Sequence, residues 1–128
     1  MINSWDDRTL TIRLCHYTVS LFFLMVLLLP CESRADSAQE IAHLLSYIEH
    51  SGCTFLRNGK EYTSAEARTH IQNKYEYAKS RVKTAEDFIH YAATVSSMSG
   101  KPYKARCNGN ELLTAEWLAA ELHKLRQN

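Results

Sequence analysis

The segment CTFLRNGKEY, which runs from Cys53 to Tyr62, decides the fold class of this chain. Thr-Phe-Leu-Arg and Lys-Glu-Tyr are short runs that contain aromatic and β-branched residues, which strands favour. Asn58-Gly59 separates them, and this dipeptide accepts the positive dihedral angles of a type I′ turn. The segment therefore predicts a short β-hairpin between stretches that have a helical pattern.

The residues on either side of the hairpin have the apolar spacing of amphipathic helices. We predict one helix over residues 38–51, ended by Gly52, and a second over residues 64–82. Each opens with a capping box, a Ser or Thr followed three residues later by a Glu, namely Ser37 with Glu40 and Thr63 with Glu66. The positions expected to face the core are Ile41, Leu44, Leu45 and Ile48 in the first helix and Ala67, Ile71, Tyr75, Ala78 and Val82 in the second.

A third helix is predicted to begin at Thr84, whose side chain can cap the first turn. Glu86 and Asp87 lie in that turn, where negative charge complements the helix dipole. Gly100 and Pro102 end the helix. Its inward residues are expected to be Phe88, Ile89, Ala92 and Val95.

Residues 103–107, Tyr-Lys-Ala-Arg-Cys, alternate between apolar and charged side chains as in a half-exposed strand. Residues 108–110 turn the chain, and a last helix is predicted over residues 115–126 with Thr114 as its cap. Its inward residues are expected to be Trp117, Leu118, Leu122 and Leu125. The predicted fold class is therefore α+β and mostly helical, with about four helices, the hairpin and a small sheet of two or three strands.

An uncharged apolar run precedes these elements, from Val19 to Pro30, and Arg8 and Arg13 come before it. This is the pattern of a signal peptide. A membrane-spanning helix needs ~20 apolar residues, so an apolar core of about a dozen is short for a permanent anchor.

We predict that residues 1–35 are a signal peptide and that residues 36–128 form a single small helical domain. The small-residue rule places cleavage between Ala35 and Asp36. Two alternatives stay open, lipidation of Cys31 after cleavage and retention of the leader as an anchor. Cleavage at the predicted site places the domain in the periplasm without a stable membrane span.

Cleavage removes Cys15 and Cys31 and leaves Cys53 and Cys107 in an oxidising compartment. Two cysteines allow a single pairing, and exported proteins seldom keep free thiols. We therefore predict a Cys53–Cys107 disulfide that ties the hairpin to the later strand. Its expected stabilisation is roughly 4 kcal/mol in the chain-entropy account. Two unrelated buried thiols are the alternative.

Charge and motif content argue against several classes of function. The whole chain has 15 basic and 14 acidic residues, and the domain left after cleavage is nearly neutral, which argues against nucleic-acid binding. The histidines lack the paired spacing of a metal site, so we predict no metal and no cofactor and interpret them as solvent-facing. Ser80 and Lys83 match a Ser-x-x-Lys pattern without its companion motifs. We assign no catalytic residue and do not expect an enzyme.

Two segments near the extended regions are candidates for a binding edge. Each combines an aromatic side chain, a fixed positive charge and turn residues. If the disulfide joins their strands, the resulting basic and aromatic patch can receive an acidic group or a peptide strand. The alternative is that the turn residues serve the backbone and the tyrosines the core. The candidates are Arg57, Asn58, Tyr62, Lys101 and Tyr103.

Several short segments occur in an order that is more specific than any one of them: Ser51-Gly52-Cys53, Phe55, Arg57-Asn58-Gly59, Tyr62, Thr84-Ala85-Glu86-Asp87-Phe88-Ile89, Ser99-Gly100-Lys101-Pro102-Tyr103 and Trp117-Leu118. In these segments, which span essentially all of residues 36–128, the chain resembles the YfeK-like proteins of Gram-negative bacteria, a family of unknown function (DUF5329). The resemblance implies a periplasmic location. It implies no characterised activity and no catalytic residue.

We expect an exported binding or accessory protein of the cell envelope, whose partner is another protein or an envelope component. An inhibitor or immunity-type protein that blocks an envelope enzyme is an alternative, because a small rigid domain loses little entropy on binding. A cell-wall hydrolase is a further alternative from a different class of function.

Overall fold

The predicted hairpin forms one half of a four-stranded sheet. The computed structural model describes residues 34–128, so positions 1–33 of the predicted leader, including Cys31, lie outside the described residues. The predicted fold class, α+β and mostly helical, is confirmed. The elements are α1 (Arg34–His50), β1 (Thr54–Arg57), β2 (Lys60–Tyr62), α2 (Ser64–Ala78), α3 (Ala85–Phe88) continued by a π-helical turn (Ile89–Ala93), β3 (Lys104–Cys107), β4 (Asn110–Leu113) and α4 (Thr114–Gln127). Within this part of the chain, no helix has the length and apolar character needed to cross a membrane.

The hairpin of β1 and β2 pairs side by side with the hairpin of β3 and β4. In the described residues the two hairpins form one antiparallel sheet of four strands, in the order β2-β1-β3-β4. Asn58 and Gly59 turn the first hairpin with φ angles of 52° and 77°, as the sequence predicts. Asn108 and Gly109 turn the second with φ angles of 50° and 80°. The expectation of two or three strands is wrong because it omits β4. All four residues of β4 are exposed, so this strand lacks the apolar alternation by which a half-buried strand is recognised.

The disulfide between Cys53 and Cys107 joins the two hairpins. Cys53 lies immediately before β1 and Cys107 ends β3, and their Cα atoms are 4.6 Å apart across a sequence separation of 54. β1 and β3 are direct neighbours in the sheet. The predicted pairing is confirmed, and it connects β1 and β3 at the ends opposite to Arg57 and Tyr103.

The helices bury their apolar residues against one face of the sheet. The ring of Phe55 in β1 meets Trp117 of α4 edge to face, with centroids 5.7 Å apart, and the ring of Phe88 meets Tyr75 in the same way. The residues predicted to face inward are buried or half-buried, except Val95, which is 37% exposed.

The first two helices differ from the prediction at one boundary each. α1 begins at Arg34, so Ser37 lies inside the helix and cannot be its cap. α2 opens with the predicted capping box but ends at Ala78 instead of residue 82. The amides of Lys79 and Arg81 donate to carbonyls three residues back, at 3.4 and 2.8 Å, and this tightening of the last turn ends the helix.

The third helix is shorter than predicted, although its cap at Thr84 forms. The hydroxyl of Thr94 donates to the carbonyl of Ile89 at 2.8 Å, and the carbonyl of Thr94 accepts from the amide of Tyr103 at 2.9 Å. The carbonyls of Ile89 and Thr94 therefore have partners outside a helical hydrogen-bond pattern and do not extend the helix. Val95 instead pairs with Pro102 in an isolated bridge, so the prediction that it faces the core is wrong.

Thr114 is the first residue of α4 and does not cap it, contrary to the prediction. The cap position is Leu113, which makes no side-chain capping bond. The amide of Thr114 donates to the carbonyl of Tyr103 at 3.0 Å, and its side chain is fully buried. The backbone bond ties the start of α4 to the residue that precedes β3.

Candidate functional site

Five side chains from four parts of the fold meet beside α2, and we call them the cationic cluster. Arg57 ends β1, Tyr62 ends β2, and Tyr103 immediately precedes β3. His70 and Lys74 both belong to α2, and their spacing of four residues places them on one face of that helix. Tyr103 is buried and the other four are half-buried. The cluster therefore depends on how α2 packs beside both hairpins.

Arg57 is held by neutral partners on two sides. Its Nη2 donates to the hydroxyl of Tyr62 at 3.0 Å, and its guanidinium lies 4.6 Å from the centroid of the same ring. Its Nη1 lies 2.7 Å from Nδ1 and 2.9 Å from Nε2 of His70. These contacts limit the rotamers of a long side chain, so the guanidinium is pre-positioned at the end of β1.

Tyr103 connects His70 to Lys74. Nε2 of His70 lies 3.0 Å from the Tyr103 hydroxyl, and Nζ of Lys74 lies 3.4 Å from the same oxygen. Lys74 also donates to the carbonyl of Val95 at 2.6 Å. A neutral His70 with its proton on Nε2 satisfies this arrangement, because Nδ1 can then accept from Arg57 while Nε2 donates to Tyr103.

The electrostatics of the cluster oppose further positive charge. Burial, and then the charges of Arg57 and Lys74, lower the pKa of His70 below its ordinary value. Burial, and then Arg57, also lower the pKa of Lys74. Burial raises the pKa of Tyr103 despite the opposing effect of Arg57. Each of these pKa shifts favours the neutral form of the group concerned.

The cationic cluster lacks a counter-ion in residues 34–128. No carboxylate of these residues lies within 4.0 Å of the side-chain nitrogens of Arg57 or Lys74. Other basic residues are paired, for example Arg106 with Glu61 and Glu111. The cluster thus holds more N–H and O–H donors than acceptors, and the chemistry that it offers is the binding of an anionic oxygen group.

A groove of about 460 Å³ opens beside the cluster, between α2 and the strands β1, β2 and β3. Its floor contains the buried apolar residues Phe55, Ala67 and Ile71. Thr114 also lines it and is 0% exposed, and its hydroxyl has no hydrogen-bond partner among the described residues. The polar residues of its rim and walls include Arg57, Tyr62, Glu66, His70, Asn73 and Tyr103.

Three of the five sequence candidates, Arg57, Tyr62 and Tyr103, belong to the cationic cluster. Asn58 adjoins the cluster and contacts the turn at residues 96–101. Its side chain donates to Ser96 at 3.2 Å and accepts from Ser99 at 2.5 Å. Lys101 is exposed in that turn, and among the described contacts its side chain makes none with the cluster.

The peptide-strand interpretation of these candidates is wrong for β1 and β3. Both strands are inner strands of the sheet and are hydrogen-bonded on both sides, so neither has a free edge to which a peptide strand can add. The unpaired edges belong to β2 and β4. The other interpretation, that Arg57 and Tyr103 receive an acidic group, does not depend on a free strand edge.

Three residues of the site, His70, Lys74 and Thr114, were not predicted as site residues from the sequence. The expectation that the histidines face solvent is wrong for His70, which is half-buried. The spacing of His70 and Lys74 is the only signal in the sequence that joins them, and it is equally typical of a solvated helix face. As for metal binding, residues 34–128 contain no group of three or more His, Cys, Asp or Glu side chains placed to hold an ion.

Comparison with known proteins identifies the family. The family model of DUF5329, described as a family of unknown function, matches residues 35–126. The chain is 34% identical over 82 residues to the uncharacterized protein YfeK of Salmonella typhimurium strain LT2. The aligned region covers 62% of this chain and 68% of that protein. No solved structure matches the chain. Because the family model covers nearly all of the described residues, the chain belongs to the DUF5329 family of proteins of unknown function.

Proposed function

We propose that this protein is an exported binding or accessory protein of the cell envelope, which captures an acidic group of its partner at the cationic cluster. The observation that carries the proposal is the position of Arg57, whose half-buried guanidinium contacts only neutral groups among the described residues. Removing part of a charged group from water without supplying a counter-ion costs free energy. A ligand carboxylate or phosphate offsets that cost and receives charge-assisted hydrogen bonds.

The geometry favours binding without large rearrangement. Tyr62 and His70 already hold Arg57 in place, and the disulfide joins β1 to β3 at the other ends of these strands. A pre-organised site loses less conformational entropy when it binds. Our proposal is for binding alone and assigns no catalytic step to these residues.

Export is a further part of the proposal, supported by the leader and by the Cys53–Cys107 disulfide, since disulfides persist in oxidising compartments. N-terminal sequencing of the protein from a cell-envelope fraction tests it. We expect the chain to start at Asp36. A start at Cys31 with added lipid mass, or an intact Met1, would contradict a soluble periplasmic protein.

Binding at the cluster can be tested by NMR titration of the purified domain with acetate and with inorganic phosphate. We expect saturable shifts of the His70 and Tyr103 resonances. Arg57→Met should abolish them, because it removes the fixed charge and keeps most of the apolar stem. Arg81→Met is the matched control, since Arg81 also lies over a tyrosine ring, 5.1 Å from the centroid of Tyr91, but outside the cluster.

The proposal fails if the parent protein shows no saturable shift with either anion. It also fails if Arg57→Met binds as the parent does, or if Arg81→Met loses binding to the same extent.

A further inference from the structure

We infer that the ligand is a small amphiphile, a single carboxylate attached to an apolar body, with the carboxylate on Arg57 and the apolar body in the groove beside α2. The inference rests on the proposed function and adds the chemical class of the ligand. It follows from three properties of the groove, namely its apolar floor, its single available fixed charge and the free N–H groups of that charge.

Most of the buried lining of the groove suits a hydrocarbon. Phe55, Ala67 and Ile71 have side chains that cannot form a hydrogen bond, and the one buried polar group beside them is the hydroxyl of Thr114. The volume of about 460 Å³ lies within the range of roughly 300–1,000 Å³ found for small-molecule sites. The groove is therefore large enough for a ligand body and rewards the removal of apolar surface from water.

The charges around the groove favour a monoanion. Among its described lining residues, Arg57 is the fixed cation without an acidic partner, because the ammonium of Lys104 bonds to Glu111 at 2.8 Å. Glu66 adds a negative charge at the rim. Lys74 lines a neighbouring depression, which shares Arg57, Tyr62, His70 and Tyr103 with the groove, and Lys74 does not line the groove itself. A group with one negative charge matches this balance better than a group with two.

The guanidinium keeps donors for two oxygens. Nη1 of Arg57 contacts His70 and Nη2 donates to Tyr62, and each of these nitrogens carries a second hydrogen. The remaining N–H groups can donate to the oxygens of a carboxylate. The apolar body then continues from that carboxylate over Phe55 and along α2.

Calorimetric titration of the purified domain with acetate, hexanoate and decanoate, each below its micelle concentration, tests the inference. We expect affinity to rise with chain length, by up to about fourfold for each methylene that enters the groove. Decanol, which lacks the charge, should bind more weakly than decanoate. Decyl phosphate, whose headgroup can carry two charges, should bind no more tightly than decanoate.

A variant that narrows the groove separates the two parts of the site. Ala65 is exposed and lines the groove, so Ala65→Phe should remove most of the gain from acetate to decanoate and leave acetate binding unchanged. Arg57→Met should weaken all three carboxylates. Ala120→Phe is the control, because Ala120 is an exposed position of α4 away from the groove.

Each remaining outcome contradicts the inference in a distinct way. An affinity that does not depend on chain length overturns the amphiphile and leaves the anion site of the proposed function intact, whereas absence of all binding overturns both. Equal binding of decanol, or tighter binding of decyl phosphate, overturns the single carboxylate. A change from dimer to monomer in Ala65→Phe, measured by sedimentation, would show that a second copy of the chain occupies the groove.

Discussion

At the scale of single residues, His70 is the position whose surroundings differ most from the sequence expectation. It lies between two fixed cations, Arg57 and Lys74, and contacts the hydroxyl of Tyr103. Its neutral form fits these contacts, and its protonated form adds a third positive charge. The residue therefore links the charge of the site to pH.

The pKa of His70 is lowered in the folded protein from an unfolded value of 6.5. Because the unfolded chain binds the proton more readily, the free energy of unfolding should decrease as the pH falls below about 6.5, until the lowered pKa is passed. His70→Gln should remove this part of the decrease. Urea unfolding at pH 7.5 and pH 5.5 measures it, with His123→Gln, an exposed position of α4, as the control.

Carboxylates do not obscure this test. Hydrogen bonds to backbone amides lower the pKa of Glu66 and Asp87 from 4.5 and 3.8, so their contributions are lost at lower pH. An equal loss of stability in the parent and in His70→Gln between the two pH values would contradict the assignment.

At the scale of secondary structure, the caps determine where two of the helices begin. The predicted capping boxes at Thr63 and Thr84 both form. The one predicted at Ser37 does not, because α1 starts earlier at Arg34. A cap requires an extended backbone at its own position, and the two threonines have ψ angles of 163° and 167°.

α3 should be the helix most sensitive to the loss of its cap, because its α-helical part is the four residues Ala85–Phe88. The hydroxyl of Thr84 accepts from the amide of Asp87 at 3.1 Å. Thr84→Ala should lower the free energy of unfolding by ~1 kcal/mol. Chemical denaturation measures the change.

Thr69→Ala is the matched control, since Thr69 is an exposed residue inside α2 whose hydroxyl donates to the carbonyl of Ala65. Alanine favours the helix interior over threonine, so this variant should be as stable as the parent or slightly more stable. A Thr84→Ala variant with unchanged stability would show that packing of Phe88 alone holds α3.

At the scale of the whole molecule, the disulfide acts on both stability and the candidate site. Cys107→Ser should lower the free energy of unfolding by about 2–5 kcal/mol, the usual cost of removing a native disulfide from a small domain. It should also weaken acetate binding, because the bond joins β1 to β3 and so limits the movement of Arg57 relative to Tyr103 at the other ends of these strands.

Denaturant unfolding and the NMR titration measure these two effects, and reduction of the parent protein should reproduce both. Cys53→Ser with Cys107→Ser is the control for a new unpaired thiol. Free thiols in the non-reduced protein, or a double variant as stable as the parent, would contradict a stabilising bond.

Features that depend on a few adjacent residues or on a count of residues can be derived from the sequence alone. Asn58-Gly59 determined the turn of the first hairpin, Thr63 and Thr84 determined two helix starts, and elimination of the other cysteines determined the pair Cys53–Cys107. Turn and cap signals act over about four residues, so they can be recognised without the rest of the chain.

The composition of the candidate site depends on how elements that are distant in sequence pack together. Arg57 ends β1, His70 belongs to α2 and Tyr103 precedes β3, and the packing of α2 beside the sheet brings them into contact. The same packing left Lys101 outside the cationic cluster and Arg57 without an acidic partner among the described residues. Such contacts depend on the summed packing of the buried core, and no local pattern of residue types specifies them.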